Sequence, residues 1–341
     1  MKIFVPDYYN KFKCIADKCS DSCCVGWAIE IDDVTLEKYK SLKGDIGTKL
    51  MDTIDTEGVA SFKCQSDGRC ANLDDRGLCK IISRLGEDYL CQICSDHPRY
   101  FNCAFGRCEG GLGVACEVAA DLVLSIDRLP KIIEVESPDV IYLSDRRSLF
   151  SFSARDYIFG CLFDGSRDIC SRLGRLLKLA FADDEVLFDI ICGEVDENAS
   201  AEELLASIPE LPFDFSDFIS LHLPLFDDLE MLTEDFSDKM NAAILCATKN
   251  TDRFIEFVTE NDAYTRNLTY YFIHRYLIGE DLAFSDNMTL AVVCALAVMA
   301  LAFLDGDGSH QGFIEVAKNF SKNIEYSTEN IETLLDRIEN V

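Results

Sequence analysis

No segment of this sequence looks like an export signal or a membrane span. It starts Met1-Lys2-Ile3-Phe4-Val5-Pro6-Asp7-Tyr8-Tyr9, without the basic-then-apolar run of a signal peptide. The longest apolar stretch, Met288 to Leu304, is shorter than the roughly 20 residues a bilayer span needs and is rich in alanine. It reads as a buried core helix, so no transmembrane segment is expected and the chain is read as cytoplasmic. Positive charge is also scarce: 32 Lys and Arg stand against 61 Asp and Glu, a net charge of -29. Residues 1–120 hold 15 basic against 19 acidic residues, and the remaining 221 hold 17 against 42. Such an acidic chain would repel a phosphate backbone, so nucleic acid is not expected as a partner. The acidic face either keeps the protein solvated or steers a basic, lysine-bearing protein surface. Phosphate loops, the glycine fingerprint of doubly wound nucleotide folds, internal repeats and low-complexity segments are all missing. With 48% hydrophobic and 27% charged residues, the composition is that of a globular chain, and 341 residues are enough for two domains.

Cysteine, by contrast, is abundant. Of 17 cysteines, twelve lie between Cys14 and Cys116 and five are scattered beyond. In a reducing compartment disulfides are rare, so a dense cysteine set points to metal. Four come first, as Cys14-x4-Cys19-x3-Cys23-Cys24. The second set is Cys70-x8-Cys79-x11-Cys91-x2-Cys94, followed by His97-Pro98-Arg99. Thiolates are soft ligands that select zinc, copper(I) or iron–sulfur. The adjacent Cys23-Cys24 pair and the irregular spacings suit zinc knuckles poorly, and no Cys-x3-Cys-x2-Cys run of the radical type is present. That leaves iron–sulfur and zinc. Cys161, Cys170, Cys192, Cys246 and Cys294 read as small buried hydrophobes.

Turn-rich stretches between the cysteines predict loops, short helices and a short hairpin over residues 1–125. Val34–Leu42, Thr48–Ile54 and Val118–Leu124 read as short helices. The segment 126–147 reads as a linker or short strands, with Pro130 to Leu143 apolar and β-branched. From residue 148 to 341, apolar residues recur at three- and four-residue intervals and predict an acidic all-α domain. Its helices are expected over Leu149–Leu162, Asp168–Leu179, Phe213–Met231, Ala242–Thr259, Asp262–Leu277, Asn287–Leu304, Gly312–Phe320 and Thr328–Ile338. The fold class is therefore mainly α, with a cysteine-rich metal module in front. Glu109-Gly110-Gly111-Leu112-Gly113 follows no clear strand and reads as a loop or turn, with contact to a cofactor as the alternative.

Several motifs resemble one family. Pro6-x-Tyr8-Tyr9-x2-Phe12-x-Cys14, Asp21-Ser22-Cys23-Cys24-x-Gly26-Trp27-x-Ile29, Arg69-Cys70-x2-Leu73, Gly77-Leu78-Cys79-x-Ile81 and Leu85-Gly86-Glu87-x2-Leu90-Cys91-x2-Cys94-x3-Pro98-Arg99 resemble the start of the flagellin lysine-N-methylases. The cysteines also resemble the zinc- or iron-chelating CxxCxxCC module, with Cys91 belonging to the narrower methylase pattern. The likeness covers about residues 6–120. Where that family often reads Ser-Cys-Pro-Glu, this chain has Ala115-Cys116-Glu117-Val118.

The resemblance implies transfer of methyl groups from S-adenosylmethionine to lysine ε-amines of flagellin, with an iron–sulfur cluster, expected as 4Fe–4S, in the enzyme. A non-catalytic iron- or zinc-chelating protein is the alternative. Lysine is protonated at neutral pH and must lose its proton before it attacks a methyl sulfonium. The sequence therefore needs a base or an aromatic, desolvated slot. Glu109, Glu117 and Tyr8 are the candidate catalytic residues, against a structural role for each. Trp27, Arg99 and Tyr100 are the candidates for cofactor binding, against packing beside the metal centre. Cys14, Cys19, Cys23, Cys24, Cys70, Cys79, Cys91 and Cys94 are the candidate metal ligands, and His97 reads as a turn residue.

Overall fold

Strand β1 (Lys2–Pro6) opens the chain with Ile3 and Val5 turned into the core, the period-two pattern of a strand with one face buried. This computed structural model describes residues 2–104, 107–136, 146–192, 205–206, 208, 213–278 and 284–341. After a loop carrying Cys14 to Cys24 come β2 (Ile29–Glu30), α1 (Asp33–Ser41), α2 (Asp45–Met51), β3 (Ile54–Asp55) and β4 (Ser61–Phe62). Then follow α3 (Lys80–Leu85), α4 (Gln92–Asp96), β5 (Arg99–Ala104), β6 (Arg107–Leu112), α5 (Glu117–Leu124) and β7 (Ile132–Glu136). The Asp32 carboxylate caps α1 by accepting from the Thr35 amide, the usual job of a short acidic side chain at a helix start.

The first third is more ordered than loops around a metal. Among the described residues it holds two sheets, one in the order β5-β6-β1-β7 and one in the order β2-β4-β3. Strand β1 runs parallel to β6 and antiparallel to β7, and β5 and β6 form a hairpin. Glu109-Gly110-Gly111-Leu112, expected as a loop, is most of β6. Its partner β1 lies about a hundred residues earlier, so no local pattern announces the pairing. The hairpin also joins Cys103 and Cys108, which its register sets opposite each other, in a disulfide. The expectation of reduced thiols had no place for that bond. Of the predicted 130–143 stretch, β7 accounts for the part up to Glu136, and 137–145 lie outside the described residues.

The rest is helical: α6 (Arg146–Leu162), α7 (Ile169–Cys192), α8 (Phe215–His222), α9 (Glu234–Lys249), α10 (Thr251–Glu260), α11 (Asp262–Tyr276), α12 (Phe284–Asp305), α13 (His310–Phe320) and α14 (Thr328–Glu339). The fold is mainly α, as the periodicity predicts. Two helices are shorter than expected. Pro224 ends α8 in a 3₁₀ turn over Leu223–Phe226. Asn250 splits Ala242–Thr259, its side chain donating to the Cys246 carbonyl at 2.8 Å. Helix α12 is long and apolar enough to cross a membrane, yet 83% of its apolar window is buried by neighbouring helices. The side chain of Cys192 lies outside the described residues, and Cys294 is fully buried.

Two apolar cores result. The larger gathers β1, β6, α5 and the helices from α6 onward. The smaller joins Ile29, Ile31, Tyr39, Leu50, Phe62 and Ile81 with Cys70 and Cys91. The cysteine layer and a cleft lie where the two meet.

Candidate functional site

The cysteine layer is assembled by turns. Gly26 takes a φ of +93°, which a residue with a Cβ rarely adopts, and its amide donates to the Gly68 carbonyl at 3.1 Å. The Cys70 amide donates to the Cys24 carbonyl at 2.8 Å. These bonds bring the two cysteine sets together from opposite ends of a 45-residue separation. The Cys23 and Cys24 sulfurs stand 3.8 Å apart. The hydrogen bond from Cys24 brings Cys23 down to about 7 against the opposing effect of burial, and raises Cys24 in turn. Cys91 is lowered by Cys94 in the same way, and Cys94 is raised. Cys24 also sits in the field of Cys70 and Cys79, and Cys94 in that of Cys24 and Cys79. Six thiols of four chain segments thus face one another. Among the described residues, no three Cys, His, Asp or Glu side chains stand in a ready coordination geometry.

Cys14 and Cys19 lie beside Cys116 at the start of α5, and Cys116 lies in turn in the field of Cys23. Burial raises Cys19 to about 11, with Glu117 and Cys116 adding to it. Cys116 was not among the expected ligands, although its place in the Ala115-Cys116-Glu117 motif was a signal. Glu117 accepts from the Ser20 amide at 2.9 Å and from the Ser20 hydroxyl. Burial opposes and these bonds lower its carboxyl below the usual range. It ties the first cysteine loop to α5.

A cleft of about 810 Å³ runs beside this layer. One wall carries Trp27, Glu30, Asp32 and Asp33, with Gln92, Ile93, Asp96 and His97 from the α4 region. The other carries Arg99, Tyr100 and Phe101 of β5 with Arg275, Glu325 and Tyr326 from the helical core. All three residues expected at a cofactor therefore line one cavity. The Trp27 indole donates to the Cys23 carbonyl at 2.9 Å and packs on Tyr326 with ring centres 5.4 Å apart. The Arg99 guanidinium lies over Tyr9 and Phe12 at 5.7 and 5.4 Å. Tyr100 lies under the Arg275 guanidinium at 4.7 Å. Glu325 and Tyr326 were missed by the sequence reading. A π-helical turn over Ser321–Glu325, after α13, turns Glu325 inward to accept from Tyr271 and Tyr276 at 3.0 Å. Such a turn leaves no mark in apolar periodicity.

Behind Tyr100 lies a buried polar array. Its hydroxyl meets His274 Nδ1 at 2.9 Å, and His274 Nε2 is 3.8 Å from a Glu109 oxygen. Burial brings His274 down to about 4, against the pull of Glu109, and leaves it neutral. Arg155 grips Glu109 with both guanidinium nitrogens, one bond measuring 3.0 Å, and Arg107 adds a contact at 2.8 Å. Burial works to raise the Glu109 carboxyl, but Arg155, His274 and Arg107 outweigh it and hold it at about 2. Glu109 is thus a fixed counter-ion at 3% exposure, set behind the cleft rather than on it. Tyr8 is also inside the core, its hydroxyl without a hydrogen-bond partner among the described residues and its pKa raised by burial. The three residues expected to be catalytic are therefore not gathered at one point.

No family model matches this chain, and no solved structure does. It is 28% identical over 148 residues to a lysine-N-methylase of Salmonella typhimurium, covering 41% of this chain and 34% of the relative. It is similar to lysine-N-methylases. The likeness repeats, at 28% over 148 residues, with the lysine-N-methylase of Salmonella choleraesuis. The flagellar biosynthetic protein FliU of Salmonella muenchen is 29% identical over 150 residues, 42% of this chain and 82% of the relative. The matched stretch spans about a third of the methylases' own length.

Proposed function

We propose that this protein is a lysine N-methyltransferase that moves methyl groups from S-adenosylmethionine to lysine ε-amines of a protein, flagellin being the substrate the relatives suggest. The observation that carries the reading is the cleft itself. It sets an aromatic wall of Trp27, Tyr100 and Tyr326 beside the carboxylates Glu30, Asp33 and Asp96, with Trp27 bonded to the Cys23 carbonyl of the cysteine layer. Similarity to the lysine-N-methylases supports it.

A lysine stem packs on aromatic faces while its ammonium is drawn to carboxylates. The proton lost before attack passes to a carboxylate, and we assign that role to the rim, to Asp33 and Asp96. Glu109 is held by two arginines and is too weak a base for the task. Arg99 meets no carboxylate at ion-pair distance among the described residues and faces the cleft, so it suits the carboxylate of the methyl donor.

Cys23, Cys24, Cys70, Cys79, Cys91 and Cys94 suit an iron–sulfur cluster by donor chemistry, being soft ligands from four segments. When bound, such a cluster supplies a soft-ligand anchor and a Lewis-acidic iron beside the cleft.

The test is label transfer from methyl-labelled donor to purified flagellin by anaerobically prepared protein. Label on lysine, falling at least about tenfold in Trp27→Ala and Arg99→Met, is expected; an unlabelled flagellin sinks the reading.

A further inference from the structure

We propose that the cleft takes its protein substrate as an extended segment, laid along the free edge of β5 and carrying a lysine among apolar neighbours. The inference rests on the methylase reading for the residue presented, and adds how the partner is held.

The cleft touches Pro98, Arg99, Tyr100 and Phe101 in succession. Successive side chains of a strand point to opposite faces, so a cavity that meets consecutive residues meets the strand's edge. Strand β5 is outermost in its sheet and pairs with β6 alone. Among the described residues, no other hydrogen bond reaches its backbone. On the opposite wall only Glu30 belongs to a strand, the outer strand β2, and it is followed by Ile31, the cap residue Asp32 and Asp33 at the start of α1. A bare strand edge is a template for another chain, and proteins usually blunt it. Here the edge is set inside a cavity.

Apolar and charged groups on the same walls say what kind of segment fits. Val59 is 68% exposed, Phe101 40% and Ile93 39%, all three on the cleft. Glu325 and Arg275 pair with each other at 3.1 Å and the Asp32 oxygens take backbone amides, which leaves Glu30, Asp33 and Asp96 against the single guanidinium of Arg99. The complement is a cationic, partly apolar chain, with main-chain hydrogen bonds giving affinity and the side-chain slots giving choice. A lysine already held in a folded helix has no free backbone to offer and fits poorly.

Fluorescence anisotropy on the full chain, without methyl donor, tests this with labelled peptides of about nine residues. The parent has a central lysine with valines two positions to either side. A second carries N-methyl groups on alternate backbone amides, and a third has norleucine for lysine. Backbone methylation is expected to weaken binding about tenfold or more, and norleucine about fivefold or more. The variant Asp33→Asn with Asp96→Asn should weaken the parent and leave the norleucine peptide unchanged. Equal binding of the parent and backbone-methylated peptides overturns the proposal, without reference to any variant's folding. Label transfer to flagellin that survives alongside that equality leaves the methylase reading standing. Selective binding of the parent with no transfer does the opposite.

Discussion

The Glu109 carboxylate is where a single atom change should cost most. Arg155 reaches it from inside the protein and Arg107 from a partly exposed position, so Glu109→Gln leaves one fully buried guanidinium short of its counter-charge. Loss of one partner of a buried pair costs about 3–5 kcal/mol, and urea unfolding of the variant should show a loss of that size. Acid should act on the same array. The folded-state pKa of His274 is about 4, below the ordinary imidazole value of 6.5. The unfolded chain therefore binds a proton between pH 6.5 and 4 that the folded chain refuses. Stability is complete above that window and falls as the pH falls through it. Glu109, held at about 2 against 4.5, extends the loss from about pH 4.5 downward. His274→Gln is expected to flatten the upper part of this slope in urea midpoints taken against pH.

Between strands, the hairpin β5–β6 depends on what Gly111 lacks. A Cβ there would sit 2.3 Å from the Tyr100 hydroxyl, which lies across it to reach His274. Gly111→Ala should cost about 1–3 kcal/mol by overpacking, and the same substitution made in a Tyr100→Ala background should cost much less in thermal unfolding. Much of this level could be read in advance. The core role of Met288–Leu304, the helix at Val118–Leu124 and the approach of the two cysteine sets follow from apolar period and spacing. The sheet could not be read, because β1 meets β6 and β7 across more than a hundred residues. Among the site residues, Trp27, Arg99 and Tyr100 were marked by the motifs around the cysteines. Glu325 and Tyr326 were not, since they belong to the helical part and reach the cleft through a π-helical turn.

Across the whole molecule, the net charge of -29 works against compactness through self-repulsion. Screening should relieve it, so raising salt from about 0.05 to 0.5 M is expected to lift the melting temperature by a few degrees. Anaerobic preparation followed by iron, sulfide and zinc analysis tests the cysteine layer at this scale. Iron with sulfide is expected, lost in Cys24→Ser, while stoichiometric zinc without sulfide would remove the cluster from the proposal.

The seam between the two cores is spanned by few bonds. Asp21 reaches Lys322 and Lys318, Ser20 reaches Glu117, and Tyr326 meets both Trp27 and His97. Among the described residues, Trp27, His97 and Tyr326 of this set also line the cleft. A contact in the first cysteine loop, Asp21 with Lys322, thus lies four residues along the chain from the Tyr326 that lines the cleft. Lys322→Ala should change peptide affinity in the cleft far more than it changes the melting temperature.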